Sequence, residues 1–216
     1  MRIPDHIGII PDGNRRWAVN QGLSKESGYS KGLDPGLELL RLAKKTGIKE
    51  MTYYGFTTDN TKRPGNQVQA FIDACVKAVE MLANEGASLL VVGNHQSPIF
   101  PKDLLPYTTR QNFGDATIRV NFLVNYGWYW DLANLLENME KINSKNSLIN
   151  GLNSWDISRV DLIIRWGGRR RLSGFLPVQS IYSDFYVIDD LWPEFKQEHF
   201  YEALEWYNHQ DITLGG

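Results

Sequence analysis

Six short apolar runs recur along the chain: "HIGII" up to Pro11, "MTYYGFT" to Thr57, "SLLVVG" to Gly93, "IRVNFLVN" to Asn125, "VDLIIRW" to Trp166 and "DFYVID" to Asp189. Each is continuous rather than alternating and rich in β-branched and aromatic side chains, the pattern of strands buried on both faces of a parallel sheet. Helical patterns lie between them. Asp34 and Pro35 form an N-cap and first-turn pair for "PGLELLRLAKKTG", which Gly47 stops. Val68, Phe71, Cys75, Val79 and Leu82 keep helical spacing before Gly86. Trp130, Leu132, Leu135, Leu136 and Met139 do so after Gly127, and "EFKQEHFYEALEWYNHQ" closes the set. Strands alternating with helices predict one α/β domain over residues 1–216, a central, mostly parallel six-stranded sheet flanked by helices.

The formal net charge of −2 gives no global basic footprint, so nucleic-acid binding is not expected. A single cysteine excludes an intramolecular disulfide framework and fits a reducing compartment. Cys75, among Phe71, Ile72 and Val79, reads as a core thiol. "MRIPDHIGIIPDGN" turns polar too soon for a leader, and nothing approaches the ~20 apolar residues of a bilayer span. A cytoplasmic protein without a membrane anchor is expected.

Ligands of open parallel sheets collect at the carboxyl ends of the strands. After the first strand comes "PDGNRRWA", a glycine turn entering a helix with Arg15 and Arg16 beside it, suited to a phosphate. Asp12 in that turn would repel a phosphate unless a divalent cation such as Mg²⁺ lay between them. An ordinary strand-to-helix turn with an Asx cap has the same spacing. After the second strand, "TTDNTKRP" gathers Thr57, Thr58, Asp59, Asn60, Lys62 and Arg63, a set that a solvated loop would also carry. After the fifth, "IRWGGRRRLSGF" packs Arg165, Arg169, Arg170 and Arg171 around Gly167-Gly168, with Ser173 following. Arginine forks match diphosphate oxygens, and the glycines let backbone approach a ligand. Two basic, glycine-containing pockets and one acid suggest two phosphorylated substrates and a metal.

Other chemistries lack their motifs. There is no G-x-S-x-G, no G-x-x-x-x-G-K-[ST] and no G-x-G-x-x-G. His6, His95, His199 and His209 are scattered without zinc-ligand spacing, and His199 and His209 read as surface residues of the last helix.

In this order the motifs resemble the cis-prenyltransferase (undecaprenyl diphosphate synthase) family over nearly the whole chain. "HIGIIPDGNRRWA" resembles H-x-x-x-I-M-D-G-N-x-R-W-A, "YYGFTTDNTKRP" resembles Y-x-F-S-x-E-N-W-x-R-P, and "VNYGWYWD" resembles N-Y-G-G-R-x-x. "VDLIIRWGGRRRLSGFLPVQSIYSDFYVIDDLWPEF" resembles the family's long segment ending L-W-P-D-F. The resemblance implies that family's fold and a Mg²⁺-dependent condensation of isopentenyl diphosphate with an allylic diphosphate, to a short- or medium-chain product. It implies an allylic diphosphate over Asp12, Gly13, Asn14, Arg15, Arg16 and Trp17, with Lys25, Tyr29 and Thr57 as further substrate-binding positions. Asp12 and Asp184 would hold the metal, Asp12, Asn60 and Arg63 would be catalytic, and Arg165, Arg169, Arg171 and Ser173 would bind isopentenyl diphosphate. The growing chain would run between the sheet and the Val68–Leu82 helix. A homodimer is implied, with membrane contact only through a lipid product.

The departures are specific. Asp59 and Thr61 stand where the family has Glu and Trp, Tyr29 replaces a histidine, and Lys25 an arginine. "RWGGR" stands for R-T-G-G-E, so Trp166 and Arg169 replace a small polar residue and an acid. Asp184 replaces a Glu, and the tail "QDITLGG" lacks the family's arginines, as if the clamp charge had moved to Arg169. Irregular coupling or cyclisation on the same fold, or a non-catalytic prenyl-diphosphate-binding subunit, are the alternative readings.

Overall fold

All six apolar runs form strands in the computed structural model, which describes residues 2–137, 140 and 142–211. They are β1 (His6–Ile10), β2 (Glu50–Thr57), β3 (Ser88–Val92), β5 (Arg119–Tyr126), β6 (Leu162–Arg165) and β7 (Asp184–Val187). A further strand, β4 (Gln111–Asn112), makes the sheet seven-stranded rather than six. It is two exposed residues paired antiparallel to β3, with no apolar run to announce it. All other pairings are parallel.

The helices are α1 (Asn14–Asn20), α2 (Ser27–Lys31), α3 (Leu33–Thr46), α4 (Gly65–Asn84), α5 (Trp128–Glu137), α6 (Lys145–Asn150) and α7 (Gln197–Asn208). α3 begins before the expected Asp34 cap. Gly32 holds the N-cap position, Asp34 lies in the first turn beside the positive helix end, and Gly47 ends the helix at φ 83°. Met139 and residues 212–216 of the arginine-poor tail lie outside the described residues.

The strand order is β4-β3-β5-β2-β1-β6-β7. β1 therefore has β2 on one side and β6 on the other, and the chain leaves β1 in one direction and later returns to its opposite flank. That reversal opens a crevice at the carboxyl ends of β1 and β6, the place where open α/β sheets bind ligands. One sheet face, with Ile7, Ile9, Met51 and Ile164, packs on Leu39 and Leu40 of α3, Val79 and Leu82 of α4, and Phe200 and Leu204 of α7. The other, with Ile10, Tyr54, Leu123 and Ile163, is covered by Ile157, Val160, Phe175 and Leu176. Each such side chain contributes roughly 1.5–3 kcal/mol on burial, which fixes the strand ends rigidly under the site.

A polar network closes the amino-terminal ends of the strands. The buried His6 ring donates from Nδ1 to the Ser158 carbonyl at 3.1 Å, and its Nε2 accepts from the Thr52 hydroxyl at 2.8 Å. Asn121 donates to that hydroxyl and to Glu50, and accepts from Arg110. Desolvation holds the His6 pKa below the ordinary histidine value. No helix among the described residues is long and apolar enough to cross a membrane.

Candidate active site

The turn after β1 and the end of β6 meet at Asp12. Its Oδ2 accepts from Arg165 Nη2 at 2.8 Å, and its Oδ1 lies 3.6 Å from Arg16 Nη2. Gly13, at φ 113°, swings the chain from β1 into α1, and a Cβ there would strike Leu191. Gly167, at φ 83°, exposes its carbonyl to Arg16 Nη2 at 2.8 Å, and a Cβ there would run into the same guanidinium. Both glycines are needed for this close crossing of two loops.

Arg165 is 3% exposed. Its Nη1 donates to the Arg171 carbonyl and, at 3.0 Å, to Ser173 Oγ, while its buried Nε has no partner. Ser173 reaches this position through a left-handed backbone, φ 53°, a strained conformation that Tyr54 braces by donating to the Ser173 carbonyl at 2.8 Å. Arg165 thus organises the loop from within, whereas the side chains of Arg169 and Arg171 are exposed, line the cleft and form no ion pair among the described residues.

From β2, Asn60 accepts at Oδ1 from the Thr57 backbone N–H at 3.0 Å, which leaves its amide hydrogens as donors for the cleft. Arg63 donates to the Tyr29 hydroxyl at 3.0 Å and lies over the Phe71 ring, 5.4 Å from its centre. Desolvation lowers the Arg63 pKa, offset in part by Tyr29. Tyr29 itself is buried and stacked on Phe71 at 4.5 Å. Arg15 donates to Gln67 of α4 at 3.3 Å.

These groups enclose one polar cleft of about 500 Å³. Of the residues expected from the sequence it brings together Asp12, Gly13, Asn14, Arg15, Arg16, Tyr29, Thr57, Asn60, Arg63, Arg165, Arg169, Arg171 and Ser173. Three expected residues are elsewhere. Trp17 lines no part of it. Lys25 lines an adjoining cavity with Arg15, Arg16, Asp189 and Glu194. Asp184 starts β7 beside Leu162, at the end of the sheet remote from Arg165, and lies 3.7 Å from Arg2. In this chain Asp12 and Asp184 do not form one metal site, because a parallel strand separates its two ends.

Sequence reasoning missed Tyr54 and Gly55 on the cleft wall, and it placed Phe71 on the helix along the chain but not at the cleft. An apolar cavity of about 70 Å³ lies between the sheet and α4, and it shares Pro11, Asn14, Tyr29, Gly55 and Phe71 with the cleft. Tyr53, Phe122 and Trp192 line that cavity on one side, and Ala74, Cys75, Ala78 and Met81 of α4 on the other. Cys75 is core, as expected, with burial pushing its thiol to about 12, but it is also cavity wall. Among the described residues no three His, Cys, Asp or Glu side chains gather to hold a metal. Asp12 remains a hard oxygen donor on the cleft and would suit a Mg²⁺ ion that drew its other ligands from outside the protein.

The family described as "Putative undecaprenyl diphosphate synthase" matches residues 10–215. The isoprenyl transferase of Streptococcus mutans serotype c is 32% identical over 238 residues, covering 100% of this chain and 94% of that protein. That of Leptospira interrogans is 29% identical over 230 residues, covering 99% and 95%. In fold, the chain is similar to lavandulyl diphosphate synthase from Lavandula x intermedia, crystallised with dimethylallyl diphosphate, at TM-score 0.85 and 21% identity over 99% of this chain and 98% of that one. A basic cleft sharing a wall with an apolar cavity, on a chain matched from end to end by isoprenyl transferases, makes the protein a prenyltransferase of the cis-prenyl diphosphate synthase family.

Proposed function

We propose that this prenyltransferase condenses isopentenyl diphosphate with an allylic diphosphate, in a Mg²⁺-dependent reaction, to a short- or medium-chain prenyl diphosphate. The observation that carries the reading is an adjacency: the polar cleft that holds Asp12 and the arginines shares the wall of Pro11, Asn14, Tyr29, Gly55 and Phe71 with an apolar cavity. An amphipathic substrate with a diphosphate head and a hydrocarbon tail fits that adjacency.

Asp12, Arg15 and Arg16 face the allylic diphosphate, whose tail enters past Tyr29 and Phe71. Arg169, Arg171 and Ser173 bind the second diphosphate, with Arg165 holding their loop in place. Asp12 would hold Mg²⁺ together with the diphosphate, and the bound ion would neutralise charge on the leaving group. The Asn60 amide and Arg63 orient the reacting end and the departing phosphate oxygens. Fixing two polyanions with their reactive carbons adjacent lowers the barrier without a covalent enzyme intermediate.

A homodimer is supported by an apolar face at the far end of the sheet. There Trp155, Ile181 and Tyr182 are 58%, 65% and 54% exposed around a groove floored by Leu148, Leu152 and Val178. Three large apolar side chains exposed round one groove give a second copy a surface to cover. We place the reaction in the cytoplasm, with membranes met only through the lipid product.

The test is product analysis. Purified protein with Mg²⁺ receives dimethylallyl, geranyl or farnesyl diphosphate, each with and without labelled isopentenyl diphosphate. Isopentenyl-dependent products longer by one or more isoprene units are expected. Products formed from allylic substrate alone, or no turnover by folded protein, would overturn the reading.

A further inference from the structure

Trp166 stands directly after Arg165, is fully buried, and yet keeps a polar N–H to satisfy. Its indole Nε1 donates to His199 Nδ1 at 3.3 Å. The same nitrogen accepts the Lys196 backbone N–H at 3.2 Å, capping α7. Two donors on Nδ1 require the ring hydrogen on Nε2, which meets Asp190 Oδ2 at 3.1 Å. Asp190 in turn accepts the Gly167 N–H on its backbone carbonyl at 2.9 Å.

The peptide unit after Trp166 is thereby held from both sides. His199 holds the indole, and Asp190, itself bound to His199, holds the Gly167 N–H. The outward face of that glycine is the carbonyl that receives Arg16, which lies beside Asp12. The indole also packs edge-on against Trp192, 4.7 Å between ring centres, and Trp192 walls the apolar cavity. His199 therefore stands one hydrogen bond behind the indole that packs on the cavity wall, and behind Arg16 through Asp190 and Gly167, although the helix pattern placed it on the surface. It is 8% exposed.

We infer that His199 is a positioning residue for the allylic diphosphate, acting through Trp166, Asp190 and the Gly167 peptide on Arg16. The inference rests on the functional reading above for which substrate Arg16 meets. The chain His199–Trp166–Gly167–Arg16 touches neither Arg169 nor Arg171, so its loss is selective.

His199→Gln and Trp166→Phe test it singly and together. Glutamine at this third helical position preserves a cap on Lys196, and phenylalanine keeps the ring in its pocket without the N–H. Each single variant raises KM for the allylic substrate roughly five- to tenfold, the worth of one buried hydrogen bond. KM for isopentenyl diphosphate stays within about twofold, and the double variant costs no more than the worse single one, as coupled residues require. Faster exchange of the Arg16 side-chain N–H signals in a ¹H–¹⁵N spectrum is expected in all three.

An unchanged allylic KM, or a fall in kcat that merely follows a lowered Tm with both KM values intact, overturns the inference. If His199→Gln loses its fold, Trp166→Phe decides alone. If the wild type makes no isopentenyl-dependent product, the functional reading fails by itself, and the Arg16 signals still decide whether His199 positions that side chain: unchanged signals refute it.

Discussion

Asp12 and Arg165 lie 153 positions apart in the chain and 2.8 Å apart in the fold, joined across the carboxyl ends of two adjacent parallel strands. Arg165 is 4% exposed at its side chain and Asp12 34%. The pair therefore has a buried, fixed member and a member open to the cleft. Arginine is the scaffold here, and the carboxylate is the group free to exchange partners.

Asp12→Asn should separate these two duties. Losing the charge leaves Arg165 buried without its anion. Because Asp12 is about one-third exposed, the stability loss should be about 1–2 kcal/mol rather than the full cost of breaking a buried pair. Turnover should fall by about a thousandfold, the scale for removing a principal charge-stabilising group. Urea unfolding and single-turnover kinetics measure the two separately; turnover within tenfold of wild type would remove Asp12 from the chemistry.

Arg169 and Arg170 are adjacent and both exposed, but only Arg169 lines the cleft. Reversing either charge alters the global field equally, so the difference between the variants is local. Arg169→Glu is expected to raise KM for isopentenyl diphosphate by roughly tenfold or more, and Arg170→Glu to change it less than about threefold at the same ionic strength. Equal effects would mean that the arginine run acts as a diffuse field rather than as a clamp.

The buried His6 carries a pH dependence unrelated to catalysis. Desolvation lowers its folded-state pKa below the ordinary 6.5, so below that value the unfolded chain binds a proton that the folded chain does not. Stability is complete above the ordinary value and is lost progressively as pH falls below it. Chemical denaturation above and below that value measures the loss, and His6→Gln should flatten it. An unchanged slope in that variant would assign the acid sensitivity to other groups.

The strands were legible because burial on both faces leaves an uninterrupted apolar run, and parallel connections then force the polar strand ends together. That is why Asp12, Asn60, Arg63 and Arg171 could be grouped from sequence alone. Asp184 entered only through the resemblance: it opens its apolar run, and in a parallel sheet that is the end away from the site. His199 was misread for a different reason. Helical periodicity marks apolar faces, but a histidine whose partners are an indole and an aspartate from other segments has no local signature. Gln111–Asn112 failed the opposite way, being a strand with nothing buried.

The apolar cavity makes the last prediction. Phe71 touches both cleft and cavity, and Met81 lines the cavity ten residues further along α4, which at 1.5 Å per residue is about 15 Å from the mouth. Met81 is only partly buried, so trimming it should cost about 1–2 kcal/mol, less than for a fully buried side chain. Met81→Ala should extend the product by one or more isoprene units, while Trp128→Ala, outside the cavity, should leave the length unchanged. Reverse-phase separation of dephosphorylated products measures this directly. If Met81→Ala makes the wild-type product at the wild-type rate, the growing chain does not reach that turn of α4, and the cavity wall that stops it must lie nearer Tyr29 and Phe71.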